Sequence, residues 1–155
     1  MTRALAAFAV FVLMASSASA SGVSIGGAVV NPKSFSMADL EAMPQVNLSV
    51  TQQTGAGPVS HNYSGVLLWS LVSAAQFQNA PGKNAYLRHT MLISSDSDGY
   101  AAAISEGEID PKLTDAQVIL ATAKDGAKLA APQLVVPGDS HAARAVQNVT
   151  SIVVQ

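Results

Sequence analysis

The densest run of chemically capable side chains in this 155-residue chain is Pro137-Gly138-Asp139-Ser140-His141-Ala142-Ala143-Arg144, which interrupts the apolar stretches Leu134-Val135-Val136 and Val149 to Val154. A Pro-Gly-Asp turn at a strand end is how a scaffold presents polar groups. Asp139, Ser140 and His141 are consecutive, and neighbours in a turn point different ways, so their adjacency does not make a catalytic triad. A Ser-x-x-Lys motif is absent, and the one Gly-x-Ser-x-Gly run, Gly22 to Gly26, lies inside a strand-like segment and not at a strand-to-helix elbow, which argues against a hydrolase. The sequence contains no cysteine. That removes thiol catalysis, zinc–cysteine sites and a thiolate ligand for a redox metal.

His61, His89 and His141 are the only histidines and lie far apart; scattered histidines are more often surface or satisfied partners than metal ligands. Ser94 to Gly99 alternates acidic and hydroxyl groups like a calcium loop, but it lacks the final glutamate and its flanks are strand-like. A hairpin turn in which Asp98-Gly99 supplies positive φ is the simpler reading. His61, Tyr63 and Trp69 bracket a hairpin-to-helix junction, and Tyr100 follows the acidic loop. Aromatic faces with a few convergent polar groups suit a planar heterocycle, although Trp69 and Tyr100 taken singly read as core residues.

The elements that must position these groups begin after residue 20. Arg3, the apolar run Ala4 to Met14 and Ala18-Ser19-Ala20 have the form of a cleaved signal peptide, since that run falls short of the roughly 20 residues that span a bilayer. Residues 1-20 are therefore expected to be a leader and 21-155 one domain in the periplasm, without membrane insertion after cleavage. Without Arg3, seven Lys and Arg face ten Asp and Glu, a balance that gives nucleic acid or an anionic membrane no electrostatic reason to bind. The sequons at Asn47, Asn62 and Asn148 would matter only in a eukaryotic secretory pathway.

The hydrophobic pattern implies an α+β, β-rich fold with short helices. Strands are expected at Val23 to Val30, Val46 to Thr51, Val59 to Ser64, Tyr86 to Ser95, Tyr100 to Ile104, Gln117 to Ala123, Gln133 to Val136 and Val149 to Val154. A short helix from Met37 to Met43 capped by Ser36, a buried helix from Gly65 to Gln76 and a helical turn from Ser105 to Asp110 complete the set.

Several ordered blocks carry a family resemblance: Gly27-Ala28-Val29-Val30-Asn31-Pro32 with Phe35 to Leu40 and Met43-Pro44; His61 to Leu68 with Leu71; Ser97-Asp98-Gly99-Tyr100; Leu120-Ala121; and Val135 to Asp139 with Arg144, Val149 and Ile152. Together they resemble the molybdopterin-binding domain of the sulfite-oxidase family. The enzymes of that family hold molybdenum through a cysteine as well as the pterin dithiolene, and this chain has none. The resemblance therefore implies the sulfite-oxidase-like fold and a pterin-sized cleft, with a reduced pterin as ligand and the molybdenum cofactor disfavoured. The small exported members it looks most like are non-enzymatic regulators that present the pterin to the sensor domain of a membrane signalling protein controlling biofilm formation. On that resemblance Arg144 and Asp98 would contact the polar edge of the pterin. Trp69, Tyr100 and His61 would form walls or a rim, with His141 and Asp139 near the mouth. A cysteine-free molybdopterin-dependent oxidoreductase and a ligand-free adaptor are the alternative readings.

Overall fold

The computed structural model describes residues 22–155, so the expected leader at 1-20 lies outside the described residues. Strands β1 (Gly22–Gly27), β2 (Lys33–Ser36), β5 (Thr90–Ser94), β6 (Ala101–Ser105) and β9 (Ser151–Val154) form one sheet in the order β2-β1-β9-β5-β6. The second sheet runs β3 (Val46–Thr54), β4 (Gly57–Leu67), β7 (Ile119–Lys124), β8 (Ala127–Val135) in that order. Only the β1–β9 pair is parallel. Helices α1 (Met37–Ala42) and α2 (Leu68–Ala75) are short, and Ala85–Arg88, Glu106–Glu108 and Ala142–Arg144 are 3₁₀ turns.

The alternation of apolar and polar residues explains which faces meet. Val23 and Ile25 of β1, Met91 and Ile93 of β5, and Ile152 and Val154 of β9 share a core with Leu68, Leu71 and Val72 of α2. A smaller cluster of Val50, Tyr63, Ile119, Ala121 and Val135 fills the other face of the second sheet, so the central strands β4 and β7 feed both clusters, Val66 and Leu120 into the first and Tyr63 and Ile119 into the second. The sheets are stitched where the chain leaves β8. There the Leu134 N–H donates to the Val146 carbonyl and the Val149 N–H to the Pro132 carbonyl, both at 2.8 Å, before β9 enters the first sheet.

Ser36 caps α1 as expected: its Oγ accepts from the Asp39 N–H at 3.2 Å, and Asp39 Oδ2 accepts from the Ser36 N–H at 2.8 Å. Several boundaries differ from the sequence reading. β1 stops at Gly27, short of the expected Val30. Lys33–Ser36 is a strand paired with β1, although the Asn31-Pro32 turn seemed to lead directly into the helix. Gly65, expected to open α2, instead lies within β4, which runs on to Leu67, and the helix starts at Leu68. The chain from Ala85 to Arg88 coils into a 3₁₀ turn before β5. β8 begins at Ala127, immediately after the Asp125-Gly126 turn, because the hairpin pairs Ala127 with Lys124 and Lys128 with Ala123 of β7.

Gly65 is required by close approach. A Cβ there would stand 2.5 Å from the Ala121 Cα and nearer still to the Leu120 carbonyl oxygen, in the core of the β4–β7 pair where the register shifts. Gly65→Ala should therefore cost about 3 kcal/mol or prevent folding, whereas Gly26→Ala, with nothing within 4 Å of the added carbon, should change stability by less than about 0.5 kcal/mol. Urea denaturation midpoints of the two variants check this pair.

Candidate functional site

Arg144 lies in the last 3₁₀ turn and is held as a clamp. Its Nε and Nη2 donate to the two oxygens of Asp139 at 2.9 and 2.7 Å, and its Nη1 donates to Glu108 Oε1 at 2.9 Å. The fork geometry of guanidinium and carboxylate makes this a strong pairing for a half-buried position. The same contacts, with Asp139 first and Glu108 next, raise the Arg144 pKa above its ordinary value. On Glu108, burial works to raise the pKa. It is outweighed by the Ser105 backbone N–H, the Arg144 guanidinium and the Ser105 hydroxyl, which together hold it below the usual carboxylate range.

Glu108 is also what shapes its own turn. Its Oε2 accepts from the Ser105 N–H at 2.8 Å and the Ser105 Oγ at 2.9 Å, the reciprocal arrangement of a capping box. Ser105-Glu106-Gly107-Glu108 has that signature in the sequence, and it is the signal by which Glu108 could have been picked out.

The other expected site residues fall into three places. Tyr100 joins the Arg144 loop, its hydroxyl donating to the Ala143 carbonyl. Asp98 comes with it but turns inward on its own backbone, Oδ1 accepting from the Tyr100 N–H at 2.9 Å. His141 is exposed in that loop and makes no side-chain hydrogen bond to the described residues. The loop also reaches the second sheet, where the Gln53 N–H donates to the Ser140 carbonyl at 2.7 Å. His61 stands apart: its Nδ1 lies 2.7 Å from Asp125 Oδ2, and Asp125 Oδ1 accepts from the Asn62 N–H at 2.8 Å. This ties the β7–β8 turn to β4, and those contacts, the Asn62 N–H foremost, lower the Asp125 pKa. Arg144, Asp139, Tyr100 and Asp98 are thus gathered with His141, while His61 and Trp69 are not part of that group.

Trp69 belongs to a second constellation that the sequence reading missed. Its ring tilts on Phe77 at 6.0 Å, Phe77 stacks on His89 at 5.0 Å, and His89 Nδ1 lies 2.6 Å from Glu106 Oε2, with both members of this pair buried. Trp69, Tyr86, Glu106, Asp110, Lys112 and Leu113 line a cavity of about 380 Å³. A second of about 340 Å³ adjoins it, with Tyr86 and Glu106 common to both walls. Asp110, also buried, uses Oδ1 to accept from the Lys112 N–H at 2.9 Å. Glu106 Oε1 and Asp110 Oδ2 have no hydrogen-bond partner among the described residues. Since no sealed side-chain oxygen among those residues lacks a partner, both oxygens are accessible, and both residues line the cavity. Carboxylates facing an aromatic wall can read hydrogen-bond donors on a flat ligand. No group of three or more metal-ligating side chains forms among the described residues.

Because the pKa of Glu108 is depressed in the fold, its stabilising contribution is fully present above the ordinary glutamate value and is lost as pH falls through the folded one. With the side chain 44% exposed, solvent screening limits the effect to about 0.5–1 kcal/mol. Glu108→Gln should be less stable than the parent by that amount at pH 7, and the gap in urea midpoints should close as pH is lowered below about 4.

The fold is similar to that of a solved protein. Against the crystal structure of the sulfane dehydrogenase SoxCD from Paracoccus pantotrophus the TM-score is 0.69 at 18% sequence identity, covering 86% of this chain and 37% of that one. The likeness is one of fold, and the present chain spans little more than a third of that structure's length. Comparison with curated protein sequences gives no match. Residues 14–155 match the family model of the oxidoreductase molybdopterin binding domain. With nearly the whole chain matched and the sulfite-oxidase-like fold in place around it, the chain belongs to the oxidoreductase molybdopterin binding domain family.

Proposed function

We propose that the protein is a non-enzymatic pterin-binding module of the periplasm that presents a reduced pterin to the sensor domain of a membrane signalling protein. The observation that carries this reading is a molybdopterin-binding domain without a single cysteine. Molybdopterin combines a pterin, which needs aromatic walls and hydrogen-bonding groups, with a metal that soft thiolate ligands favour. The residues present match the first requirement and leave the second to non-protein ligands. Trp69, Tyr86, Glu106 and Asp110 offer a wall and acceptors, and the Arg144 loop offers an ordered polar surface beside Tyr100. Loss of the metal ligand with retention of the ring-binding fold suits a protein that senses or displays a pterin. Export, expected from the form of the first 20 residues, would bring it to where a sensor domain could meet it.

A ligand that binds only the native state raises its stability by mass action. Purified protein should therefore gain several degrees of melting temperature with saturating 6-methyltetrahydropterin, at about 2.7 kcal/mol when ligand reaches a hundred times its Kd. Protein made in a host that synthesises molybdenum cofactor should contain well under one equivalent of molybdenum or tungsten. Stoichiometric metal would instead support the cysteine-free oxidoreductase, and no response to oxidised or reduced pterins would support an adaptor that needs no ligand. Mass spectrometry of the periplasmic fraction should find a mature chain starting near Ser21.

A further inference from the structure

Resting on the pterin reading above, we infer that the pterin ring is held in the cavity between Trp69 and Tyr86, with its amino-pyrimidinone edge read by the open oxygens of Glu106 and Asp110 and not by Arg144.

Arg144 is already engaged. Three of its five N–H groups donate to carboxylates on two separate segments, so turning it to a ligand would break the clamp that ties the Asp139 loop to the Glu108 turn. Asp98 spends one oxygen on the Tyr100 N–H and is exposed, so water meets the rest of its hydrogen-bonding capacity. Glu106 and Asp110 differ in kind. Each is buried, with residue exposures of 4% and 5%, each lines the cavity, and each spends one oxygen on the protein while the other is left unpaired among the described residues. An unpaired carboxylate oxygen on a buried residue calls for a donor.

The amino-pyrimidinone edge of a pterin supplies that donor set. Its ring N3–H and exocyclic 2-amino group point the same way, one to each oxygen, and the neighbouring 4-oxo group accepts a hydrogen bond. Lys112 lines the same cavity and makes no ion pair among the described residues, so its ammonium is the available donor for that oxo group. Trp69 supplies the flat face. It is fixed by its tilt on Phe77, which the buried His89 backs in turn. A volume of about 380 Å³ is of the size that encloses a small ligand.

The chain has one tryptophan, so intrinsic indole fluorescence reports on Trp69 alone, and the Asp110 variant separates this cavity from the one on the Pro111 side of the ring, which Asp110 does not line. Titration of the full chain with 6-methyltetrahydropterin, followed by indole fluorescence and by calorimetry, should quench Trp69 as heat is released. Asp110→Asn keeps the acceptor for the Lys112 N–H, and Glu106→Gln keeps one for His89. Each should weaken binding by about tenfold or more, as loss of a hydrogen bond to a charged group does, while urea midpoints confirm the fold. Arg144→Ala should bind within about threefold of the parent. Parental affinity in Asp110→Asn, or Arg144→Ala that stays folded but no longer binds, would overturn this location and leave the pterin reading standing. Failure of the parent protein to bind at all would remove both. Should Glu106→Gln not fold, Asp110→Asn and Trp69→Leu decide the matter alone.

Discussion

The turn from Ser105 to Glu108 is the constraint around which the rest of this surface is arranged. Its capping box fixes Glu108 with one oxygen on Ser105 and the other on Arg144. Two residues earlier, Glu106 is directed the other way, into the buried contact with His89. A single 3₁₀ turn therefore holds two carboxylates in fixed and opposed directions, one stapling a loop and the other forming a cavity wall. Its place at the end of β6, with the Glu106 N–H donating to the His89 carbonyl at 2.9 Å, anchors both to the first sheet. Sites built on such rigid elements are more precise than those on free loops.

The Arg144 clamp gives the Asp139 loop an ordered shape without giving it a free cation. The loop touches three separate elements: Gln53 at the end of β3, Tyr100 ahead of β6, and Glu108 after it. It thereby bridges the two sheets at the same end of the molecule, where β8 hands the chain over to β9. Each contact alone is a surface interaction of modest worth, a few tenths to about 1 kcal/mol. Their shared dependence on one loop conformation makes them act together.

Much of the fold was legible because its signals are local. Ser36 and Asp39 announce a helix start three residues apart, Asp125-Gly126 announces a hairpin, and the alternation from Val46 onward announces a half-buried strand. The expectation of an α+β, β-rich sulfite-oxidase-like domain agrees with the fold and with the family match. What was not legible depends on distant partners. Lys33-Ser34-Phe35-Ser36 is too short and too polar to read as a strand and becomes one only by pairing with β1. Gly65 looks like a helix opening until the close approach of β7 shows why no side chain fits there.

The candidate site shows the same division. Asp139 and Arg144 are five residues apart and could be seen as one polar group, but Glu108 joins them across 36 residues, and Asp125 reaches His61 across 64. Sequence proximity thus favours Arg144 as a ligand contact because nothing local shows that its hydrogen bonds are spent. His89 suffers the opposite fate. It has no notable neighbours in sequence, and only the fold reveals it between Phe77 and Glu106. A charged side chain in a loop is conspicuous in a chain with so few charges, yet the groups able to receive a ligand are those whose bonding capacity the fold leaves unfilled. By that measure the unpaired oxygens of the buried Glu106 and Asp110 outrank a guanidinium already committed to two carboxylates, and the chemistry of this surface follows from what the turn at Ser105 leaves over.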